Sequence, residues 1–329
     1  MNMKFSFPLL KAIALAAVLL CSAACSRKDD GRTDVIFDTD ANNEIDDQHA
    51  IAYLLLSDNV FNTLGLTTNT TRNGGDIKLQ TLEAQRVTKL VGLPGTPIYE
   101  GADGSFEEIL PNIGNKEFDG CSAVNFIIAQ AQKHSAKKPL TVIAVGKLTN
   151  IALALAKKPS ISKKLRVVWL GTNYPDPGEY NFDNDIPAVN YVLDTDVKFE
   201  ITTVRYKEDS GTWAVLVSRE YAHEHFTGLG PKVTEAVEGR HGGRFVCFGD
   251  YSVDLFDNVP ELVRSLYDMS AVAVVKNPDW GKTYTVPAPT FKDGKWEERP
   301  DNPRTITIWE YFNRDAIVAD FEETLSAKQ

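Results

Sequence analysis

The sequence predicts an α/β protein with an open, mostly parallel central sheet and helices on both faces. Apolar runs of strand length alternate with segments of helical periodicity, the pattern of βαβ units around a parallel sheet. The chain has 329 residues, of which 43% are hydrophobic and 24% charged, so it is long enough to bury a large core. Because it shows neither repeats nor a convincing linker, we predict a single domain over residues 34–329.

The predicted strands and helices follow one another in pairs. Each pair is an apolar run and then a helical pattern: 34–38 and 45–58, 61–67 and 76–91, 140–145 and 147–158, 166–170 and 185–194. The C-terminal part of the chain is more polar than the rest. There the sequence predicts loops and then one further helix: loops at 205–212, 239–252 and 276–304, and a final helix near 308–325.

Residues 1–24 differ in composition from the rest of the chain. Two lysines precede an apolar run, 12–20, which has the length of a signal-peptide core and is too short to span a bilayer. The segment CSAAC looks like a bacterial lipobox, which predicts cleavage before Cys25 and acylation of that residue. An ordinary signal peptide and acylation of Cys21 are the alternatives. We therefore predict a lipoprotein of the cell envelope, periplasmic or in the outer membrane, with a polar tether at 25–33.

The charge of the chain limits its partners. The formal net charge is −10, and removal of the leader with its two lysines makes it −12. Such a charge argues against nucleic acid and anionic membrane surfaces as partners, so we expect membrane contact through the lipid anchor alone. After acylation of Cys25 two cysteines remain, Cys121 and Cys247, which are either buried small residues or one disulfide.

Five acidic residues separate the first predicted strand from the first predicted helix in DVIFDTDANNEIDDQHAIAYLLL (34–56): Asp38, Asp40, Glu44, Asp46 and Asp47. Ligands of open α/β sheets bind beyond the carboxyl ends of the strands, which is where these acids fall. Helix capping and a solvated turn explain one or two of them, but not five. Because crowded carboxylates repel one another, the cluster favours a cation. Oxygen ligands without histidine or cysteine suit calcium or magnesium.

Two families place an Asp-x-Asp motif at the end of a first strand. Haloacid-dehalogenase-like phosphatases also need a later lysine and an acidic pair, whereas nucleoside hydrolases have a second Asp pair shortly afterwards, as here. Three later segments favour the second family: VIAVGKLTNIALAL (142–155) is similar to its GPLTNIA segment, LGTNYPDPGEYNFDND (170–185) to its GN…EFN…D segment, and LYDMSAVAVV (266–275) to its His-Asp-Pro-x-Ala-Val segment. The chain thus resembles the inosine-uridine-preferring nucleoside hydrolase family over about 34–275.

The resemblance implies a role for each motif residue. Asp40 matches both a calcium ligand and the general base that takes a proton from the attacking water. The other implied calcium ligands are Asp47, Asp268 and the backbone carbonyl of Val145. The residues implied to hold the sugar are Asp46, Asn173, Glu179 and Asn181. These roles agree with N-glycosidic cleavage, which passes through an oxocarbenium-like sugar and benefits from a metal ion and oriented hydroxyl groups.

The chain departs from the family pattern at three places that bear on the leaving group and the sugar. The first motif is longer by two residues, in the segment Asn42-Asn43-Glu44, so we expect a reshaped loop there. Asn69 and Asn73 compete as the counterpart of a family asparagine that binds substrate. Tyr267 stands where the family often has a histidine, and it is therefore the candidate to act on the leaving base.

Three functions of different classes follow from these observations. The leading one is a calcium-dependent hydrolase of the N-glycosidic bond of ribonucleosides or related ribosides. The alternatives are a non-catalytic lipoprotein that binds a ribose-containing ligand, and the phosphatase. Retention of Asp40 favours the enzyme over the binding protein, and the Asp268 segment disfavours the phosphatase. The sequence leaves the base preference and the oligomeric state open, a homo-oligomer included.

Overall fold

The computed structural model describes residues 30–328, and from Arg32 onward these residues form one compact unit. The predicted signal peptide (1–24), the lipidated Cys25 and most of the predicted tether (25–33) lie outside the described residues and stay predictions. Eight strands of the described part form the central sheet: β1 (Thr33–Thr39), β2 (Phe61–Thr68), β3 (Ile98–Tyr99), β4 (Leu140–Ala144), β5 (Leu165–Leu170), β6 (Lys198–Thr202), β11 (Lys282–Pro287) and β14 (Thr305–Glu310).

The sheet is mostly parallel, as predicted. Its strands lie in the order β11-β14-β6-β5-β4-β1-β2-β3, and every neighbouring pair is parallel except β11 with β14. β1 lies between β2 and β4, so the chain winds outward from β1 in both directions. A crevice forms beyond the strand ends at such a switch point, and it is the usual ligand site of open α/β sheets.

Helices cover both faces of the sheet, which confirms the predicted fold class. The described residues contain these α-helices: α1 (Asp46–Leu56), α2 (Ile77–Leu90), α3 (Phe106–Ile109), α4 (Cys121–Ala131), α5 (Thr149–Lys157), α6 (Tyr180–Asn184), α7 (Ile186–Leu193), α8 (Arg219–His225), α9 (Phe248–Asp257), α10 (Met269–Lys276) and α11 (Arg314–Ser326). Val35 and Phe37 of β1 belong to the apolar core that contains α1, α10 and α11, whereas Ile36 belongs to the core that contains α4, α5 and α7. This alternation follows from the two-residue period of a strand.

Six short strands complete the described part of the chain: β7 (Leu216–Ser218), β8 (Val237–Glu238), β9 (Arg244–Phe245), β10 (Val263–Ser265), β12 (Thr290–Lys292) and β13 (Lys295–Glu297). They form three antiparallel pairs, β7 with β10, β8 with β9, and β12 with β13. None of the described helices is long and apolar enough to cross a membrane.

Three predictions for the C-terminal part were wrong. The segment predicted as a loop at 276–304 contains β11, β12 and β13, and the one at 239–252 contains β9 and the start of α9. The final helix begins at Arg314 rather than near 308, because the preceding residues form β14. The strand β11 lies at the edge of the sheet and is half exposed, so its sequence lacks the apolar run of a buried strand.

Candidate active site

The acid-rich cavity lies at the switch point of the sheet. It has a volume of about 440 Å³, which is within the usual range of small-molecule sites. Most of the predicted site residues line it: Asp40, Asp46, Asp47, Val145, Asn173, Glu179, Asn181, Tyr267 and Asp268. Asn69 and Asn73 are not among its lining residues. The fold therefore brings together segments that are more than 200 residues apart in sequence.

Three carboxylates at the floor of the cavity are close enough to hold one metal ion. One oxygen each of Asp46, Asp47 and Asp268 lies within 4.8 Å of the others, and all three residues are buried. Asp46 and Asp47 form the first turn of α1, and Asp268 directly precedes α10. The positive ends of the two helix dipoles favour carboxylates at these positions.

Asp40 stands beside this group rather than within it. Its Oδ2 accepts a hydrogen bond from the Thr71 hydroxyl at 2.5 Å. The predicted ligand set contained Asp40, Asp47 and Asp268, whereas the structure groups Asp46 with the latter two. Asp47 is held by the Thr39 hydroxyl, which donates to Oδ1 at 2.5 Å.

The floor carboxylates carry perturbed pKa values because they are buried and close to one another. Burial, with a smaller contribution from neighbouring carboxylates, raises the pKa of Asp40 and of Asp46 to about 7. The same two causes raise the pKa of Asp47 and Asp268 well above the usual value. Such a group of acids is destabilising when ionised unless a cation shares the site.

Asp38 supports the site from behind. Its carboxylate accepts hydrogen bonds from the Thr67 hydroxyl at 2.6 Å, the Asn69 amide at 2.8 Å and the Asn150 amide at 2.7 Å. These bonds join β1 to the ends of β2 and to α5. Burial raises the pKa of Asp38 to about 6, and the three donors oppose that rise. Asp38 therefore fixes the strand ends that carry the site, a role that its sequence position alone did not reveal.

The two competing asparagines have different surroundings. Asn69 is buried, and its Oδ1 has no hydrogen-bond partner among residues 30–328. A Cβ atom at Gly146 would lie 2.7 Å from that Oδ1 and 2.9 Å from Oδ1 of Asp40, so the backbone of Gly146 passes close to both side chains. Asn73 lies on an exposed turn, where its N–H donates to the Tyr180 hydroxyl at 2.9 Å. Asn69 is thus the better placed of the two candidates.

The segment after β5 presents polar side chains to the cavity. Oε2 of Glu179 accepts hydrogen bonds from the backbone N–H groups of Thr172 and Phe182, both at 2.9 Å. The Asn181 amide donates to the Val145 carbonyl at 2.7 Å. Oδ1 of Asn173 accepts from the N–H of Tyr206 at 3.3 Å. The predicted sugar-binding residues are therefore held in fixed orientations by backbone groups.

The inserted loop after β1 connects four other segments around the cavity. Asn42 binds Gln80 through its N–H at 2.6 Å and the Gly74 carbonyl through its side chain at 2.7 Å. Asn43 accepts a hydrogen bond from the Tyr180 hydroxyl at 3.3 Å. The carboxylate of Glu44 pairs with Arg264, and the backbone carbonyl of Glu44 accepts from Arg240 at 2.8 Å. These contacts hold the loop in place at the edge of the cavity, and its reshaping relative to the family stays a prediction.

One side of the cavity is lined by three aromatic residues, which we call the aromatic wall: Tyr206, Trp213 and Tyr267. The ring centroids of Tyr206 and Trp213 are 4.7 Å apart, and those of Trp213 and Tyr267 are 6.1 Å apart. Burial raises the pKa of Tyr267 above its usual value. The sequence analysis did not identify Tyr206, Trp213, Glu261 or Arg264, because these residues lie outside the recognised motifs. The position of Arg264, two residues before the fourth motif (266–275), was the only signal for any of them.

Lys147, which replaces the usual proline of the second motif, does not line the cavity. Its side chain is 4% exposed and donates to the carbonyls of Asp103 and Gly104 at 2.9 and 2.6 Å, so it anchors the loop that contains these two residues.

The two cysteines of the described part of the chain, Cys121 and Cys247, also lie outside the cavity. Both are free thiols, so they do not form the disulfide that the sequence left open.

Comparison with known proteins gives a family. Residues 35–316 match the family model described as inosine-uridine preferring nucleoside hydrolase. The chain is 26% identical over 238 residues to the inosine-uridine preferring nucleoside hydrolase of Crithidia fasciculata, a match that covers 65% of this chain and 71% of that protein. It is 27% identical over 209 residues to an uncharacterized protein of Schizosaccharomyces pombe, and this match covers 56% of this chain and 65% of that protein.

A solved structure shows the same fold. The purine-preferring ribonucleoside hydrolase from Gardnerella vaginalis superposes with a TM-score of 0.69, covers 90% of this chain and 98% of its own, and is 20% identical. At this identity the likeness concerns the fold alone, whereas the family match spans most of the sequence and disfavours the phosphatase alternative. The chain belongs to the inosine-uridine preferring nucleoside hydrolase family and is an N-glycosyl hydrolase.

Proposed function

We propose that this chain hydrolyses the N-glycosidic bond of ribonucleosides or related ribosides with Ca²⁺ as its cofactor. The observation that carries the proposal is the buried cluster of Asp46, Asp47 and Asp268 beside Asp40, in a cavity of nucleoside size. All of these groups offer oxygen ligands, which calcium prefers. Burial first, and neighbouring carboxylates second, raise the pKa values of these four groups, so a cation in the cavity would favour their ionised forms.

The proposed calcium ligands are Asp40, Asp47, Asp268 and the backbone carbonyl of Val145. Asp46 shares the close group of oxygens with Asp47 and Asp268, beside Asp40, so it is placed both to contact the ion and to accept a hydrogen bond from a sugar hydroxyl. The Val145 carbonyl already accepts from Asn181, which fixes its direction. When bound, the cation would hold sugar hydroxyls and lower the pKa of a water molecule.

The protein groups then carry out positioning and proton transfer. Asp40 accepts a proton from the attacking water, and the Thr71 hydroxyl holds its carboxylate in place. Asp46, Asn173, Glu179 and Asn181 hold the ribose so that its anomeric carbon faces that water. The side chains of Asn69 and Asp40 both lie against the backbone of Gly146. The water oxygen bonds to the anomeric carbon while the bond to the base breaks.

The direct test is release of free ribose from a panel of ribosides, first with calcium and then with a chelator. We expect release with calcium, loss of release after chelation, and recovery after calcium is restored. The panel includes inosine, uridine, adenosine, cytidine and p-nitrophenyl riboside. Ribose release that is unaffected by chelation would contradict the calcium assignment but would still support the proposed hydrolysis.

We expect Tyr267→Phe to lower the rate by less than about tenfold, or roughly 1.4 kcal/mol in activation free energy. The phenol of Tyr267 has a pKa above its usual value, so it donates a hydrogen bond more readily than a proton. For the same reason p-nitrophenyl riboside, whose leaving group needs no proton, should be cleaved much faster than inosine. The measurement is the ratio of kcat/KM for these two substrates in both proteins.

The exposed Tyr311 gives a matched control, since Tyr311→Phe removes a phenol that does not line the cavity. Rapid inosine hydrolysis that falls by orders of magnitude in Tyr267→Phe, but not in Tyr311→Phe, would identify Tyr267 as the acid.

We further propose that the mature chain begins at Cys25 and is held on the cell envelope by its acyl groups. Multiple acyl chains give stable anchoring, whereas one chain gives only marginal binding. Replacing Cys25 by Ala should move the protein from the membrane fraction to the soluble fraction, as measured by fractionation and immunoblotting. Cys121→Ala is the control, because it removes a cysteine of the folded part. A membrane-bound Cys25→Ala protein would contradict the lipid anchor.

A further inference from the structure

Lysine and arginine side chains are concentrated at the edge of the sheet opposite the cavity. Four segments lead into β4, β5, β6 and β14, which are adjacent and parallel, so the segments lie together at the amino ends of these strands. The segments are 132–139, 158–166, 194–200 and 299–305, and we call their surface the basic face. They contain ten lysines and arginines but four carboxylates, although acids outnumber bases in the whole chain.

The four segments of the basic face surround a common hollow of about 530 Å³. Lys163, Lys198 and Arg304 line it together with a single acid, Asp196. Lys163 and Lys198 have side chains that are 71% and 62% exposed, so their ammonium groups are accessible from solvent.

The carboxylates of the basic face neutralise only part of its positive charge. Three of the four are used in ion pairs: Asp196 with Lys163, Asp194 with Arg299, and Glu200 with both Arg166 and Lys198. Two carboxylates near the amino ends of β1 and β2 also have basic partners, Asp34 with His134 at 3.1 Å and Asp58 with Lys328 at 2.7 Å. They therefore do not offset the excess of lysine and arginine.

Other cations of the basic face are bound to neutral oxygen atoms. Lys133 donates to Oε1 of Gln130 at 3.0 Å, and Lys164 donates to the carbonyl of Gln132 at 3.3 Å. The guanidinium of Arg304 donates to three backbone carbonyls at 2.6 to 3.2 Å. Because a neutral acceptor leaves the charge of its donor uncompensated, the basic face carries a net positive charge.

The acids of the cavity are too distant to cancel this charge. They lie beyond the carboxyl ends of the strands, and β1 has seven residues, a length of about 23 Å. The Debye length at physiological ionic strength is about 8 Å. A surface that touches the basic face is therefore influenced mainly by the lysines and arginines there. The net charge of the whole chain, which argued against contact with anionic membranes, conceals this separation.

The chain enters the fold at the same edge of the sheet. β1 begins at Thr33 and lies beside β4, with Val35 opposite Thr141, so its amino end is next to the segment 132–139. Eight residues separate Thr33 from the proposed anchor at Cys25. A chain of that length spans at most about 29 Å. Anchoring through Cys25 would therefore keep this edge of the sheet close to the bilayer.

We propose that the basic face docks on the anionic phospholipid surface of the membrane that holds the anchor, so that the cavity opens away from the bilayer. The inference rests on the proposed lipid anchor and is independent of riboside hydrolysis. Lysine and arginine side chains near an anionic leaflet are attracted to it, and their N–H groups donate to phosphate oxygens. The acyl groups hold the chain on the membrane, and the basic face determines its orientation there.

The test measures which lysines the bilayer covers. The purified acylated protein is bound to phosphatidylcholine vesicles with and without phosphatidylglycerol, at low and high ionic strength, and treated briefly with an acetylating reagent. Mass spectrometry gives the acetylation rate of each lysine and the acyl content of Cys25. Lys158 and Lys198 report on the basic face, and Lys207, an exposed residue next to Tyr206 of the cavity, reports on the opposite edge.

A charge-reversal variant and a matched control complete the design. The variant carries Lys133→Glu, Lys137→Glu and Lys163→Glu, all at exposed positions of the basic face. The control reverses three exposed lysines outside the four segments: Lys78→Glu, Lys116→Glu and Lys282→Glu. None of the six residues lines the catalytic cavity. Circular dichroism verifies that both proteins are folded.

We expect phosphatidylglycerol to slow the acetylation of Lys158 and Lys198 by about 3- to 10-fold at low salt and to leave Lys207 unchanged. High salt and the basic-face variant should both remove this protection, and the control variant should retain it. Equal rates on the two kinds of vesicle, or protection that salt does not alter, would overturn the inference.

The acyl content of Cys25 separates the failure of the anchor from the failure of the docking surface. A Cys25 without acyl groups would contradict the proposed anchor. The same acetylation rates, measured on that protein mixed with the vesicles, would then decide whether the basic face binds phosphatidylglycerol. Acylated protein whose lysines are not protected would overturn the docking surface alone.

Discussion

Replacing Asp40 by Asn is expected to lower the rate of riboside hydrolysis by about 10²- to 10⁴-fold, the usual contribution of a general base. The amide keeps the size of the side chain and an oxygen that accepts the Thr71 hydrogen bond, but it has no lone pair basic enough to take the water proton. The fold should persist, because β1 is joined to β2 and β4 by its backbone ladders and by the bonds of Asp38, and the one Asp40 side-chain bond, from Thr71, can still be accepted by the amide oxygen. Initial rates with p-nitrophenyl riboside and circular dichroism test the two halves of this expectation.

Asp301→Asn provides the control for this experiment, since Asp301 is exposed and does not line the cavity. It should match the wild type in both rate and fold. Unchanged hydrolysis in folded Asp40→Asn would contradict the assigned base. If the wild type binds ribosides but hydrolyses none of the panel, the non-catalytic ribose-binding alternative becomes the better account.

Calcium is expected to raise the free energy of unfolding, and to raise it more at about pH 8 than at about pH 5. The sign follows from the carboxylates: the folded-state pKa of Asp40 and Asp46 is about 7 against a reference of 3.8. Without metal, the folded protein therefore binds more protons than the unfolded chain between these values, and stability falls as pH rises through that window. At higher pH the ionised carboxylates bind calcium without first losing protons.

The measurement is denaturant unfolding with chelator and with calcium at each pH. Calcium at about 100 times its dissociation constant should add about 2.7 kcal/mol. Asp47→Asn sharpens the test, because it removes one repelling charge and one ligand while keeping an acceptor for Thr39. In chelator this variant should be more stable than the wild type at the higher pH, and it should respond less to calcium. An equal response of both proteins to calcium would contradict Asp47 as a ligand.

The positions of the first strands and helices followed from local periodicity. Apolar runs such as 34–38 and 140–145 are buried on both faces of a parallel sheet, so their composition alone marks them as strands. The C-terminal strands gave weaker signals. β11 is an exposed edge strand and therefore lacks an apolar run. β14 contains both buried and partly exposed residues and directly precedes a helix, so the sequence predicted one helical segment near 308–325 in place of a strand and a helix.

The family motifs were recognisable without the structure. They correctly predicted these residues of the cavity: Asp40, Asp46, Asp47, Asn173, Glu179, Asn181 and Asp268. Motif spacing carries that information because each motif follows the carboxyl end of a strand or opens a helix, and these ends meet at one edge of a parallel sheet. The sequence could not decide between Asn69 and Asn73, because both lie in one polar segment. They differ in burial, which only the folded structure shows.

The residues that form the mouth and the aromatic wall of the cavity could be identified only from the tertiary structure. Glu44 lies in the insertion of the first motif and Arg264 lies outside the motifs, 220 residues away, yet they pair at the mouth. Trp213 and Tyr206 likewise come from a segment that was predicted only as a polar loop at 205–212 and its flank. Such contacts depend on the packing of β7 against β10 and on the path of the inserted loop. Long-range pairing leaves no periodic trace in either segment, so these residues become recognisable only when the chain is folded.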